Sequence, residues 1–378
     1  MLIERLRLKN ILSFRDTTVK LGKLNVLIGP NGVGKSNLIE VIGLLQAAPT
    51  GLASTILRTA GIRQWLWMGN ELPMTATIEC RLRLPRDRHE GLLSYQLQLL
   101  GDENGGYAIQ DESLTGYFSR SSMEADVFFQ GSEKPPTRMG VNRSESLLSQ
   151  FKNPADPTPI TDVGRALTEI QIFREFRTGP GALVRQGIST TMAKNGLEDG
   201  ANNLALVLQD LHFQDLHARI DSYLKRFCER FTGAKVEIAD GLARIYLSED
   251  GLKSRIPSSR MSDGTLKFLS LLAALFHPKA APLICIEEPE LGLHPDALQL
   301  VAEILLDASK STQLIVTTHS EALVDALTDH PESVLVCERD FDNSTQMERL
   351  SKKKLEVWLK RYTLGELWRK GEIGGGRW

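Results

Sequence analysis

The sequence is short of the features that would tie it to a membrane, an oxidising compartment or a bulk polyanion. Its 378 residues include four cysteines, Cys80, Cys228, Cys285 and Cys337, and no two stand at metal-ligand spacing. That argues against a disulfide framework and a cysteine-based zinc site. Cys285 and Cys337 lie in apolar runs and read as small core residues. The strongest apolar run, Phe268 to Phe276, is far below the ~20 residues that span a bilayer. The opening Met-Leu-Ile-Glu-Arg-Leu-Arg lacks the apolar core of a signal peptide, so a soluble cytoplasmic protein with no membrane partner is expected. Lys and Arg number 45 against 47 Asp and Glu, a formal net charge of −2, so any surface for nucleic acid must be local. Basic residues do gather near both ends, from Arg5 to Lys23 and from Lys352 to Arg377. For the second group a solvated helix face is the preferred reading.

The chain has a 42% hydrophobic share and 24% charged residues, which suits two ordinary domains or one large α/β domain with an insertion. Its most informative stretch is Gly29-Pro30-Asn31-Gly32-Val33-Gly34-Lys35-Ser36, which fits the phosphate-loop pattern G-x-x-x-x-G-K-[ST]. A glycine-rich turn between a strand and a helix would fit the pattern alone. Here Leu24 to Ile28 reads as a buried strand, and Ser36 to Gln46 has helical spacing, with Leu38, Ile39, Ile42 and Leu45 on one side. Glycines let successive N–H groups turn toward a phosphate, and the helix N-terminus adds its positive end. Lys35 then reaches the β/γ-phosphates and the Ser36 hydroxyl binds Mg²⁺.

Acidic and polar partners come about 250 residues later. Pro282 to Ile286 is a continuous apolar run, as a strand buried on both faces should be, and it ends in Glu287-Glu288-Pro289-Glu290. Carboxylates there face the crevice where α/β sheets bind ligands: one can hold Mg²⁺ or its water shell, the next can orient the attacking water. An ordinary acidic turn would look similar, but the phosphate loop favours the catalytic reading. Ser262-Asp263-Gly264-Thr265 opens another helical stretch, with Ser262 a candidate N-cap. Gln313 to Thr318 reads as a strand ending in His319-Ser320, and a histidine there can donate to a γ-phosphate.

With these motifs in order, the chain resembles the ABC-type ATPases of the SMC/RecF and OLD group. Gly29–Ser36 looks like Walker A, Ser262-Asp263-Gly264 like the signature, and Ile284 to Glu288 like Walker B with its catalytic glutamate. Leu291 to Asp296 resembles the D-loop, His319 the switch histidine, and Leu8 to Arg15 the first strand. Asp199-Gly200-Ala201-Asn202-Asn203-Leu204 resembles a segment of the RecF-like branch. The resemblance implies an α/β ABC-type P-loop head with an appended antiparallel sheet and a helical insertion. It implies ATP and Mg²⁺ bound through Asn31, Gly32, Gly34, Lys35, Ser36 and Glu287, with Glu288 and His319 catalytic. It also implies a homodimer in which Ser262 and Gly264 complete the site of the opposite copy, acting on DNA or on a separately encoded nuclease or effector, in repair or anti-phage defence. The alternative is an ATP-bound scaffold that restrains an effector with little turnover. A transporter subunit is disfavoured by the long insertion between Walker A and signature. Two positions depart from the pattern: Glu287 stands where Asp is usual, and Asp263 where Gly is usual. Gln64 is one candidate for the Q-loop, a core-facing turn being the other reading.

Residues 1–120 are expected to form one lobe, 121–255 a loop and helical insertion, and 256–378 a second lobe with a tail. Short strands from Thr77 to Leu84 and Leu92 to Leu99 suggest the appended sheet. Residues 121–160, rich in Ser, Pro and Gly, read as a connection; Val163 to Glu175 and Ala201 to Phe231 have helical spacing without sustained heptads, which excludes a long coiled-coil arm. His212 and His217 are five apart, wrong for two ligands on one helical face, and read as structural. After Ser320 the remaining length (378 − 320) is too short for a Toprim nuclease domain, so Glu338 to Asp342 is expected to end an edge strand. The segment Leu364 to Gly376 fits a frayed end or a partner contact.

Overall fold

The computed structural model describes residues 2–58, 61–69, 73–84, 92–102, 105–117, 126–131, 142–151, 153, 159–192, 196–213, 216–279 and 281–375. The chain opens with β1 (Ile3–Ile11), β2 (Phe14–Lys20) and β3 (Leu24–Ile28), followed by the helix Lys35–Ala47. Four more strands come next: β4 (Thr75–Arg83), β5 (Leu92–Gly101), β6 (Tyr107–Tyr117) and β7 (Asp126–Gly131). After the helix Ile160–Thr168, the short β8 (Gln171–Phe173) and β9 (Ile188–Ser189) lead to the helices Leu204–Phe213 and His217–Phe227. The chain continues through β10 (Phe231–Ala239), β11 (Leu242–Glu249), β12 (Ile256–Pro257) and the helix Asp263–Leu275. Last come β13 (Leu283–Glu287), the helix Leu298–Ala308, β14 (Gln313–Thr317), β15 (Val334–Arg339), β16 (Thr345–Arg349) and the helix Leu364–Arg369.

The site is organised by a six-stranded sheet of order β16-β15-β3-β14-β13-β8. Its strands from β15 to β8 are parallel, and β16 joins antiparallel at one edge. All five residues of β3 and of β14 are buried, as expected where both faces of a parallel sheet are covered. Successive residues point to opposite faces and so enter different cores. Ile284, Ile286, Leu314 and Val316 pack with the helix Asp263–Leu275 and the insertion helices, whereas Leu283, Cys285, Ile315 and Cys337 pack with the helix Lys35–Ala47 and the antiparallel sheet. Cys285 and Cys337 are fully buried core thiols, and burial pushes Cys337 up to about 12.

The second six-stranded sheet, β2-β1-β4-β5-β6-β7, is antiparallel throughout. A buried glutamine joins it to the first. Gln313 Oε1 accepts from the N–H groups of Leu2 and Ile3, and its Nε2 donates to Ile3 O and Gly22 O, all at 2.7–3.0 Å. Every polar atom of that amide is thus satisfied, which is what makes its burial tolerable.

Four expectations are corrected. Residues 126–131, expected within a connection, form β7 and extend the antiparallel sheet. The helix expected over Val163 to Glu175 stops at Thr168, and Gln171–Phe173 joins the parallel sheet as β8; three residues are too few to show a period of two against a helical background. The insertion is not wholly helical, because β9, β10 and β11 lie within it and form a four-stranded sheet with β12, just past its end. Asp240-Gly241, both with positive φ (52° and 73°), turn β10 into β11, the type I′ signature of a two-residue hairpin. Finally, β15 is not the edge of the parallel sheet; β16 covers it. His212 and His217 lie with ring centroids 4.7 Å apart and ring planes tilted by 47° where two helices meet. The tail is anchored through Gly375: Trp368 Nε1 donates to Gly375 O at 2.7 Å, and Gly375 N to Glu338 Oε1 at 2.7 Å. Gly376 lies outside the described residues. Among the described residues, no helix is long and apolar enough to cross a membrane.

Candidate nucleotide site

Register aligns the carboxyl ends of the central strands. Leu27 pairs with Thr317 and Thr317 with Glu287, so the loops after β3, β13 and β14 open side by side. This is the crevice where α/β sheets take ligands. Gly29, Gly32 and Gly34 have φ of +145°, +72° and +108°, conformations that a side chain rarely adopts. At Gly34 a Cβ would also collide with the hydroxyls of Ser13 and Thr345. Thr345 Oγ1 in turn donates to Val33 O at 2.6 Å, and Arg339 Nη2 to Gly32 O at 2.6 Å, so β15 and β16 brace the loop from below.

Lys35 is 6% exposed, and its Nζ donates to Gly29 O and Pro30 O at 2.8 and 2.9 Å. Burial pushes its pKa down, while Glu288 and Glu290 oppose that shift. Ser36 Oγ donates to Glu287 Oε2 at 2.8 Å, a contact across 251 residues of sequence. A hydroxyl and a carboxylate so placed, one at the phosphate loop and one at a strand end, form an oxygen donor set that fits Mg²⁺. Glu288 takes φ +45°, a left-handed backbone that costs a non-glycine residue about 1–3 kcal/mol and is found mostly at functional sites. Its Oε1 lies 3.7 Å from His319 Nε2.

Ser262 is the N-cap of the helix Asp263–Leu275, its Oγ accepting from Thr265 N at 3.1 Å. That helix start packs on the loop after β13: a Cβ at Gly264 would stand 3.1 Å from Gly292 O, and Lys267 Nζ donates to Leu291 O at 3.0 Å. Lys35, Ser36, Glu287, Glu288 and His319 converge at the ends of neighbouring strands, whereas Ser262 caps the helix Asp263–Leu275 and Gly264 lies in its first turn.

Two residues of the crevice have roles that the motifs do not assign: Glu290, at the end of the acidic run, and Arg174. Glu290 is mostly buried. Its Oε1 accepts from Thr318 Oγ1 at 2.6 Å and from His319 N at 2.9 Å, while Oε2 is buried with no partner among the described residues. Burial raises its pKa, those two hydrogen bonds opposing. Arg174 follows β8, and since Phe173 pairs with Ile286 it emerges level with Glu287. Its guanidinium binds Glu40 and lies 3.6 Å from Glu287 Oε1, and its main-chain N–H donates to Asp199 Oδ1 at 3.2 Å. The Asp199 segment, singled out in the sequence, thus seats Arg174. Gln64 lines a groove with Ser13, Asn37, Trp67 and Arg339, and this groove borders the phosphate loop, since Asn37 follows Ser36 and Arg339 bonds Gly32 O.

The fold is that of an SMC head, a P-loop ABC-type ATPase architecture of SMC/RecF type. It superposes on the crystal structure of the SmcHead bound to the C-winged helix domain of ScpA with TM-score 0.59, at 16% identity over 93% of this chain and 99% of that one. A Smc head domain bound to the C-terminal domain of ScpA derived from Pyrococcus furiosus gives TM-score 0.56 and 15% identity, covering 95% and 98%. Residues 107–325 match the family described as "AAA domain, putative AbiEii toxin, Type IV TA system", and the chain belongs to that family. Residues 5–60 match a second family, "AAA domain". The sequence is similar to an ATP/GTP phosphatase of Helicobacter pylori, 19% identical over 367 residues, or 92% of this chain and 91% of that protein. A shorter stretch of 43 residues is 56% identical to the DNA double-strand break repair Rad50 ATPase of Sulfolobus acidocaldarius, covering 11% of this chain and 5% of that one.

Proposed function

We propose that the chain is an ATPase that binds ATP and Mg²⁺ at Gly29–Ser36 and closes as a two-fold homodimer around two nucleotides. The closed dimer would act in the cytoplasm as a switch on DNA or on a separately encoded nuclease or effector, in repair or defence. The observation that carries this reading is the 2.8 Å contact of Ser36 with Glu287, beside Glu288 and His319, at aligned strand ends. Supporting it are the likeness to an ATP/GTP phosphatase and to a Rad50 ATPase, and a family whose description names a toxin of a toxin–antitoxin system.

The main-chain N–H groups of Asn31, Gly32 and Gly34 cradle the phosphates, and Lys35 swings from its loop carbonyls to the β/γ-phosphates. Ser36 and Glu287 would hold Mg²⁺, which would supply charge neutralisation at the phosphates. Glu288 orients the attacking water and takes its proton; His319 donates to the γ-phosphate. Ser262 and Gly264 bind that phosphate from the opposite copy, and Leu291, 55% exposed on the adjoining loop, offers the facing copy an apolar contact. Residues 1–120 and 256–378 form the two lobes, and 121–255 passes the closure to the client.

Glu288→Gln keeps the shape of the side chain without its basicity, so it is expected to trap an ATP dimer with Mg²⁺ in light scattering; a variant that stays monomeric sinks the proposal. A second reading, a slow ATP-bound scaffold, is favoured by Arg174, whose charge near Glu287 competes with the metal. Steady-state hydrolysis with and without DNA separates the two.

A further inference from the structure

The loop that presents Ser262 is gripped by an arginine from the insertion. Arg185 ends a single 3-10 turn, Leu183–Arg185, just ahead of β9. Its side chain is 14% exposed and reaches four acceptors. Nε donates to Thr178 O at 2.6 Å, Nη1 to Met261 O at 2.8 Å and Ser258 O at 3.3 Å, and Nη2 to the Asp263 carboxylate. Three of these acceptors bracket Ser262: Ser258 and Met261 before it, Asp263 directly after. A flat, forked guanidinium can fix several acceptors at once, and a single ammonium cannot reproduce that geometry. Asp263 supplies the balancing charge, which gives the departure from glycine at this position a physical role. Among the described residues, none of these hydrogen-bond partners belongs to the Gly29–Ser36 loop.

We propose that Arg185 is a positioning residue for Ser262, through which the insertion governs hydrolysis in the site of the opposite copy. The inference rests on the two-fold ATP dimer proposed above. Since β9 continues from the Arg185 turn into pairing with β11, strain on the insertion sheet pulls on the same arginine. A client bound to the insertion therefore has a direct mechanical route to the signature.

Arg185→Ala removes the whole grip; Arg185→Lys keeps the charge and loses the fork. Each is expected to lower kcat roughly tenfold or more, while the chain's own affinity for a fluorescent ATP analogue stays within about twofold. Asp263→Asn, on a half-exposed side chain, keeps an acceptor and should lower kcat about threefold, and it stands in if an Arg185 variant does not fold. The deciding experiment mixes Arg185→Ala with Lys35→Ala, each nearly inactive alone. One composite site of the mixed dimer then pairs an intact phosphate loop with an intact signature. Restored turnover of about one quarter of wild type is expected, because half the dimers are mixed and each has one sound site of two. A general loss of folding would not be restored by mixing. Glu288→Gln is measured alongside. If it forms the ATP dimer while the mixture stays inactive, or if Arg185→Lys weakens the chain's own nucleotide binding, the role of Arg185 is overturned and the dimer stands. If Glu288→Gln stays monomeric, the dimer falls and takes the inference with it.

Discussion

The phosphate loop and the Ser262 loop are both turns that lead into a helix N-terminus, yet they are held by different means. The first is shaped mainly by its own backbone, with three glycines in left-handed conformations and a lysine folded onto the carbonyls of Gly29 and Pro30, while Arg339 and Thr345 add outside braces at Gly32 O and Val33 O. The second is shaped from outside, by an arginine 76 residues away from Met261 in sequence. A loop that carries its own geometry is robust to its surroundings. A loop held by a remote side chain can be moved by whatever moves that side chain, and this makes it the better place for control.

The largest expected break in this contrast comes from within the phosphate loop. Lys35→Ala should weaken ATP binding on the order of 100-fold, because it removes the ammonium set among the loop carbonyls; titration with a fluorescent ATP analogue measures it, and a change below threefold would contradict the site. Gly34→Ala should cost about 2–3 kcal/mol of stability in denaturant unfolding, from a left-handed φ and a collision with Ser13 and Thr345. A loss under about 0.5 kcal/mol would mean that the loop is less constrained than its backbone suggests. Glu290→Ala frees the main chain of His319 and should lower kcat roughly tenfold with little change in ATP affinity, whereas Glu290→Gln, which keeps an acceptor, should retain most of the rate. Equal losses in the two variants would assign Glu290 a part in the chemistry itself. The smallest effect is expected at the phosphate loop's outside brace. Thr345→Val should cost about 1 kcal/mol of stability and leave ATP affinity within about threefold, in contrast to the tenfold effect of Arg185 on turnover.

The same contrast explains what could be read in the chain before its fold. β13 stands out because a strand buried on both faces reads as an apolar run, Leu283 to Ile286, and β3 and β14 nearly do, with Asn25 inside the one and Gln313 and Thr317 at the ends of the other. β8 does not stand out: three residues cannot display a period, and only pairing with β13 makes Gln171–Phe173 a strand. Arg174 was hidden with it. The hairpin β10–β11 was legible in principle, because Asp240-Gly241 between alternating residues is a turn signal. Arg185 carried no such mark, since nothing local distinguishes an arginine that will meet Met261 and Asp263 from one that will meet water.

The phosphate loop, the acidic strand end, the histidine after β14 and the order in which they occur are legible in the chain alone. Each depends on residues close together in the chain, where glycine conformations, apolar runs and helix caps act over a few positions. The tertiary structure alone decided that Ser36 meets Glu287, that Gln313 ties two sheets together, and that Arg185 holds the loop of Ser262. Those contacts span from 73 to more than 300 residues. They form only when burial of the two cores has fixed the register of the strands, and no local pattern records them.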